Sequence, residues 1–437
     1  MTVTVDAEPR TSTPVPQGRG RWRLTLHRRV FMPLNYWIGN PAPTWNQTIV
    51  SELSSAHDRK LTQKWDGTAE LAFSLDGRSD DAANILELAH DVYAWRWSTE
   101  LGRDVCVFRG PIQQADDTVT PERHAVTFTC HDYLSMLERR ILTSTLSWTN
   151  TDQDTIVSNL LTWAAWLVQS SSGTANFNTA GFLPIQSRPV DPAGNPRGPS
   201  GQIRQRTYYG NATYLEQLDL LSKVAGGFDY DVQPEPEAGR QGFTAGFDAF
   251  RVFYPYQGSD RTAQLSFVYG SNVASVQRSF SSVDFANYVR ELGNNGSADP
   301  NVAQLYAEAW TSEATSTTPT VGLWMLGNNL ADINLQTTLN EHAQGDIGLT
   351  SQPAPTYTVG LTPETYRWGN PAMGDNVPLI VRSGRLNINT TVRVLGITYT
   401  VGNDGQETVD LTVGRPQPNL RSAFHRITRD INALTRR

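Results

Sequence analysis

The chain is poor in cysteine, which narrows its redox chemistry. Only Cys106 and Cys130 occur among 437 residues, and both lie in apolar, strand-like runs, VCVFRG and VTFTC. Cysteines in such runs are most often buried thiols, and a disulfide between the two is the less favoured alternative. A cysteine nucleophile is not expected from two cysteines placed in this way.

Long apolar runs are also missing. No run approaches the roughly 20 residues that a membrane-spanning helix needs. The first residues, MTVTVDAEPR, lack the basic and then apolar pattern of a signal peptide. We therefore expect a soluble protein without stable membrane insertion, whose export is not encoded at its N-terminus.

Lysine is scarce, and the net charge is negative. Lys60, Lys64 and Lys223 are the only lysines among 36 basic residues, and the formal net charge is −7. General nucleic-acid binders are usually basic, because they must neutralise phosphates. That class of protein is therefore disfavoured. The other basic residues are arginines, which are better suited than lysines to ordered interfaces.

The remaining composition indicates a folded, β-rich protein. Hydrophobic residues make up 38% and charged residues 18% of the chain, with 34 glycines and 25 prolines. This balance is too apolar for a disordered chain, and the abundance of turn-forming residues favours strands joined by many turns. A chain of this length is expected to fold into about two to four domains.

Motifs for catalysis and cofactor binding are missing from the sequence. There is no Walker loop and no Gly-x-Ser-x-Gly elbow, and Gly18-Arg19-Gly20 precedes a strand with no helix behind it. None of the histidines has zinc-site spacing. We therefore expect no enzyme, no cofactor and no metal. The seven histidines are His27, His57, His90, His124, His131, His342 and His425.

Two acidic patterns leave alternatives open. Asp229 and Asp231 flank Tyr230 and could bind Ca²⁺ with other oxygen ligands, although the run FDYDV is more typical of a strand that alternates between two faces. An Asp/Glu pair for glycoside cleavage can also form in space without a sequence signature.

Alternating patterns predict strands in the first part of the chain. Residues 21–32 alternate around Trp22, Leu24 and Leu26, with a basic opposite face, and residues 65–77 alternate again. We expect sequential antiparallel strands at 92–97, 104–110 and 124–132, with turns at 101–104 and 115–121. Short helical patterns cover 83–89 and 133–142.

The middle of the chain alternates between helices and strands. Residues 148–167 predict a helix capped by Thr151 or Asp152, and residues 214–224 predict a second helix that ends at Gly226-Gly227. Strands are expected at 228–232 and 249–254, and a long functional or mobile loop at 170–205. The apolar stripe of the first helix is Ile156, Leu160, Leu161 and Trp163.

The last third ends in a clear hairpin. Strands are expected at 265–269, 273–280, 392–401 and 407–413, and the final two are joined by the turn Gly402-Asn403-Asp404-Gly405. A helical segment is expected at 330–344.

The C-terminal residues form a heptad-like stripe. The helix predicted at 419–437 carries Phe424, Ile427, Ile431 and Leu434, spaced 3, 4 and 3 apart. One interpretation is an amphipathic helix packed on its own domain. The other is a subunit interface at a symmetry axis, because this spacing is that of a coiled-coil seam.

Five groups of segments resemble one known family. They are Val105–Gly110 with Pro111-Ile112; Ala125–Leu142, matched at Asp132, Tyr133, Leu134, Leu137, Arg139 and Arg140; Tyr214–Val232; Tyr269–Val273 with Phe285–Val289; and Gly374–Val377 with Val392–Ile397 and Val409–Gly414. In order and spacing they resemble the tail-hub, or minor tail protein, family of long-tailed actinobacterial phages. That family is similar to the baseplate hub proteins of contractile phages.

The resemblance implies an α+β, β-rich fold with two β-barrel hub domains, an α/β insert and a C-terminal helix. Three such subunits would place six barrels in a ring. The implied domains are an N-terminal arm at 1–20, a first hub β-barrel at 21–145, a peripheral insert at 146–270, a second hub β-barrel at 271–415 with a helical segment at 330–344, and an amphipathic helix at 416–437.

The implied role is that of a structural subunit at the distal end of the virion tail, joining the tail tube to the tip. The expected partners are two further copies of the chain, the distal tail ring protein, the tape measure, and fibre or tip proteins, with DNA only in transit. The alternative is a carbohydrate-binding or host-receptor-binding tail module. The hub interpretation expects most of the 12 tryptophans in cores or subunit contacts, whereas the alternative expects exposed aromatic side chains.

Overall fold

A computed structural model describes most of the chain. The described residues are 22–28, 48–98, 101–166, 183–224, 226–235, 247–280, 282, 285–294, 304–330, 336–351, 355–362, 369–403 and 405–414. Within these ranges no helix is long and apolar enough to cross a bilayer.

Strands dominate the described residues. The first seven are β1 Trp22–Arg28, β2 Thr48–Glu52, β3 His57–Lys64, β4 Glu70–Asp76, β5 His90–Ser98, β6 Arg103–Val119 and β7 His124–His131. The next seven are β8 Leu146–Asp152, β9 Ile185–Val190, β10 Ile203–Tyr208, β11 Asp229–Gln233, β12 Asp248–Phe253, β13 Phe267–Val268 and β14 Val273–Ser279. The last seven are β15 Tyr288–Gly293, β16 Tyr306–Trp310, β17 Met325–Leu330, β18 Thr356–Leu361, β19 Asn376–Ser383, β20 Leu386–Val401 and β21 Glu407–Gly414.

Helices are few and mostly short. They are α1 Asp80–Ala83, α2 Leu134–Leu137, α3 Gln153–Trp166, α4 Tyr214–Ser222 and α5 Gln336–Thr350. The expectation of a β-rich α+β protein is therefore confirmed.

One large sheet joins the two ends of the chain. Its 13 strands run in the order β14-β18-β21-β20-β3-β4-β7-β6-β5-β1-β2, with β19 beside β20 and β13 beside β19. The link between the N-terminal and C-terminal halves is the antiparallel pair of β3 with β20, in which Lys64 lies opposite Gly396. Among the described strands the hydrogen-bonded path does not close on itself, so the two β-barrels and the separate insert remain predictions.

The large sheet curls around a single apolar core. Leu71, Phe73 and Leu75 of β4 are fully buried there, as their alternation predicts. The Trp22 indole nitrogen on β1 donates to the Glu407 carboxylate of β21 at 2.6 Å. β1 and β21 are far apart in strand order, so this contact requires the sheet to bend back on itself.

A second core lies between α3, α4 and two small sheets. The sheets have the orders β11-β12-β9 and β10-β8. Ile156, Leu160 and Leu161 of α3 are buried in this core as predicted. Trp163 is 37% exposed, because it lies two residues after Leu161 and so faces away from the buried side of the helix.

The ends of α3 and α4 follow the predicted chemistry. The Asp152 carboxylate accepts from the Asp154 backbone N–H at 2.9 Å at the start of α3. The Thr213 hydroxyl caps α4 by accepting from the Glu216 N–H, and Gly226 follows the helix with φ +69°. Both helix starts thus satisfy backbone donors that would otherwise have no partner.

A third, smaller core lies between α5 and the sheet β16-β15-β17. The helix expected at 330–344 is shifted toward the C-terminus, since β17 extends to Leu330 and α5 begins at Gln336.

Several predicted elements have different bounds in the structure. The helix expected at 83–89 is wrong except at Ala83, which ends the single turn α1 capped by the Ser79 hydroxyl. Leu88 has φ +62°, a backbone conformation that a right-handed helix does not contain. The helix expected at 133–142 is shorter in the structure, where only α2, Leu134–Leu137, is helical. The turn expected at 115–121 belongs in part to β6, which pairs with β7 as far as Val119. The loop expected at 170–205 contains β9 and β10.

The contact between β6 and the end of β7 predicts a strict requirement for glycine. A Cβ added at Gly110 would lie 2.0 Å from the His131 carbonyl oxygen. In the Gly110→Ala variant the backbone of β6 or β7 must therefore shift to remove this clash. We expect a loss of at least about 1–3 kcal/mol of stability, measured as a lower thermal unfolding midpoint. Gly198→Ala is the control, because no atom lies within 4 Å of its added Cβ. Equal midpoints in the two variants would contradict this packing.

Candidate functional site

A charged side chain that is closed to solvent lies in the FRG segment. Arg109 of β6 donates from Nη1 to Asp248 Oδ1 of β12 at 2.8 Å, and both side chains are 0% exposed. A charge without solvent is stable only when it is paired and hydrogen-bonded. The ion pair therefore ties the large sheet to the second core.

Two tyrosines enclose the Arg109 guanidinium. Its central carbon lies 4.9 Å from the Tyr93 ring centroid and 5.4 Å from that of Tyr133. Cation–π contacts of this kind strengthen when they are desolvated. The Tyr133 hydroxyl donates to Asp91 Oδ2 at 2.6 Å, and burial raises the pKa of Tyr133. Both tyrosine rings thus contact the guanidinium.

His27 extends this buried cluster onto β1. Its ring stacks on Tyr93 with centroids 3.7 Å apart, and its Nε2 lies 2.8 Å from the Thr25 hydroxyl. Burial, and then the nearby positive charge of Arg109, lower the pKa of His27 to about 3. The basic opposite face expected for this strand is therefore wrong at His27, which is buried and uncharged at neutral pH.

Asp132 organises the start of α2. Its Oδ1 accepts from the Leu134 N–H at 3.0 Å, and its Oδ2 accepts from the Ala69 N–H at 2.9 Å. Burial raises its pKa to about 8. Asp132 and Tyr133 were both identified from the sequence, and the structure brings them to the same region as Arg109.

A second ion pair joins the other half of the large sheet to the same small sheet. Arg393 of β20 donates from Nη2 to Asp229 Oδ2 of β11 at 2.5 Å and to the Gln257 carbonyl at 2.7 Å. Its guanidinium carbon lies 5.0 Å from the Trp65 ring centroid. β11 and β12 are therefore held by both halves of the sheet.

The acidic run around Tyr230 is explained by arginine pairing. Asp229 pairs with Arg393, and Asp231 pairs with Arg251 at 2.5 Å. The described residues hold no group of three or more His, Cys, Asp or Glu side chains arranged for a metal. The strand interpretation of FDYDV is confirmed by β11.

The remaining residues selected from the sequence are placed as follows. Cys106 and Cys130 are buried thiols as predicted, and burial raises the pKa of Cys130. His124 lies 2.8 Å from the Asp117 carboxylate. Phe424, Ile427, Ile431 and Leu434, together with the N-terminal arm, lie outside the described residues.

Sequence reasoning missed Asp91 and Asp248, the acidic partners in the Arg109 cluster. Asp248 is 139 residues from Arg109 along the chain, and neither acid belongs to a recognisable motif. The only available signal was indirect: an arginine in a strand otherwise expected to be buried requires an acid from elsewhere. The cluster is closed to solvent, so its chemistry is that of a rigid junction.

Comparison with known proteins identifies the fold. No protein-family profile and no curated protein matches the sequence. The structure of the 43 kDa tail protein of prophage MuSo2 from Shewanella oneidensis aligns with 90% of this chain and 98% of its own length. The TM-score is 0.53 and the sequence identity is 12%. The structure of the tail protein from Neisseria meningitidis MC58 aligns with 90% of this chain and 96% of its own length, with a TM-score of 0.52 and a sequence identity of 10%.

The chain has the fold of these two tail proteins. The resemblance to tail proteins is therefore supported at the level of the fold, across nearly the whole chain. The narrower assignment to hub proteins of actinobacterial phages remains a prediction.

The buried ion pair predicts a large effect of removing Arg109. Arg109→Met leaves Asp248 without its partner in a site closed to water, which is expected to reduce stability by about 3–5 kcal/mol. The control is Arg290→Met, because the Arg290–Glu308 pair is 3.7 Å apart and exposed, and such pairs contribute less than about 1 kcal/mol. Chemical denaturation of both variants measures the loss of unfolding free energy. Similar losses in both would contradict a junction held by the Arg109–Asp248 pair.

The raised pKa of Asp132 predicts a pH dependence of stability. The pKa of Asp132 rises from its ordinary value of 3.8 to about 8 in the folded protein. At pH values between these two, the folded chain binds a proton that the unfolded chain does not. Stability should therefore rise as pH falls below about 8, by about 1.4 kcal/mol per pH unit. Unfolding midpoints measured at pH 6 and pH 8 should show a smaller difference in Asp132→Asn than in the wild type. An unchanged difference would exclude Asp132 as the source.

Proposed function

We propose that this chain is a structural subunit of a phage tail tip or baseplate hub, forming a homotrimeric ring between the tail tube and the distal tip. The observation that carries the proposal is the fold likeness to the Shewanella prophage tail protein, which extends over 90% of this chain and 98% of that one. A likeness of this extent concerns the complete architecture and not one embedded module.

The edges of the large sheet support self-association. Its two end strands, β2 and β14, differ in sequence, and Ile49 and Val50 on β2 are exposed. Unprotected strand edges favour pairing with other chains, and contact between unlike surfaces of identical subunits generates a ring when the rotation closes. Three subunits with two barrel-like halves each would approximate the six-fold symmetry of a tail tube.

The proposed surroundings follow from this role. The subunit would lie at the distal end of the virion tail and contact the distal tail ring protein, the tape measure, and fibre or tip proteins. DNA would cross the ring only in transit, and the net charge of −7 is compatible with a lumen that does not retain it. The stripe of Phe424, Ile427, Ile431 and Leu434 would pack at the threefold axis or against the next tail protein.

The mass of the purified chain in solution tests this proposal. Light scattering should give three times 48.4 kDa for the full chain and a weaker assembly after removal of residues 419–437, because that segment carries the heptad-like stripe. A monomer at every concentration tested would contradict the trimer.

A matched pair of surface variants distinguishes an effect of the β2 edge on assembly from the general effect of adding a charge to the surface. Ile49→Lys on β2 should weaken the trimer, since an edge lysine opposes strand pairing. Leu220→Lys on the helix α4 is the control, because it adds the same charge away from any strand edge, and Ile49 and Leu220 are 55% and 46% exposed. Equal masses for the two variants would exclude the β2 edge as a subunit contact.

A further inference from the structure

Exposed apolar side chains concentrate in one part of the molecule, around the sheet β16-β15-β17. One face of this sheet packs on α5 through small and aliphatic residues. The opposite face and the loop before β17 carry the exposed residues Tyr306, Trp310, Val321, Leu323, Trp324 and Met325. Exposed apolar side chains clustered in this way often mark a binding site.

The strand register arranges the open face in three rows. Tyr288 lies between Trp310 and Met325, Arg290 between Glu308 and Gly327, and Leu292 between Tyr306 and Asn329. Aromatic rings therefore occupy two outer rows, and the charged pair occupies the middle row. We call the residues of these three rows the aromatic face.

The polar groups of the aromatic face contact each other and its rings. Arg290 lies 3.7 Å from the Glu308 carboxylate, and its guanidinium carbon lies 4.8 Å from the Tyr306 ring centroid. The Tyr288 hydroxyl donates to Glu308 Oε1 at 2.5 Å. The rings of Tyr288 and Trp310 are 14° from parallel, with centroids 6.4 Å apart.

The charge of the aromatic face limits its occupant. Its rows contain one arginine and one glutamate, which neutralise each other. A single-stranded nucleic acid would also stack on aromatic rings, but it requires a positively charged groove. An electrically neutral occupant with apolar faces and many hydroxyl groups fits better, because aromatic faces attract the weakly positive C–H groups of such a molecule.

We propose that the aromatic face binds a neutral oligosaccharide. Sugar rings would lie against Trp310 and Tyr306, and their hydroxyl groups would exchange hydrogen bonds with Glu308 and Arg290 in the middle row. Gly327 supports this arrangement, because no atom lies within 4 Å of the position of a Cβ there, which leaves the β17 end of the middle row open beside Arg290.

The spacing of the two aromatic anchors favours an extended ligand. Tyr306 and Trp310 lie four residues apart on one strand, which corresponds to about 13–14 Å. One sugar ring cannot contact both anchors, so the site fits a linear chain of several sugars. This inference does not depend on the proposed trimer.

A glycan array followed by calorimetry tests the aromatic face. The full-length protein is applied to an array of neutral oligosaccharides that includes chitotetraose, cellotetraose and maltotetraose, with heparin fragments as the anionic comparison. We expect binding to at least one neutral oligosaccharide and none to heparin. Trp310→Ala and Tyr306→Ala should each weaken that binding by about tenfold, through the lost stacking area.

The control variant is Trp163→Ala, which removes an exposed tryptophan of α3, far from this sheet in the chain. It should bind as the wild type does, and circular dichroism should be unchanged in all three variants. No binding to any neutral oligosaccharide, or equal binding by Trp310→Ala and the wild type, would overturn the proposal. A loss of trimer mass in Trp310→Ala without any glycan binding would identify the face as a contact between copies and would equally overturn it.

Discussion

The buried charge of Arg109 is the constraint on which the architecture depends. A guanidinium closed to solvent is tolerable only with a carboxylate at hydrogen-bonding distance, and that carboxylate, Asp248, lies 139 residues further along the chain. The native burial of Arg109 on β6 therefore depends on Asp248 of β12. The pair thus couples the packing of the two cores.

The second arginine pair extends this dependence to the other half of the chain. Arg393 of β20 reaches Asp229 of β11, across 164 residues, while β3 and β20 hydrogen-bond directly. The small sheet β11-β12-β9 is consequently held at two points by strands from opposite ends of the sequence. Such cross-connection resists relative motion of the parts.

Surfaces outside this rigid frame are where the molecule can meet other molecules. The edge strand β2 exposes aliphatic side chains, and the sheet β16-β15-β17 exposes aromatic ones. The two surfaces differ in chemistry. Among the described strands β2 pairs only with β1, and such an edge offers backbone hydrogen bonds, whereas the aromatic face offers rings and one neutralised ion pair. Under the two proposals above, assembly and ligand contact would use separate regions of one chain.

Part of the local structure was predictable from the sequence alone. The alternation of Leu71, Phe73 and Leu75, the cap at Asp152 and the burial of both cysteines follow from patterns of residues only a few positions apart. Tertiary structure alone decided that β3 pairs with β20, that His27 is buried and uncharged, and which acid neutralises Arg109. Those outcomes depend on groups brought together from distant positions, and a pairing between distant positions leaves no periodic signal in the sequence near either partner.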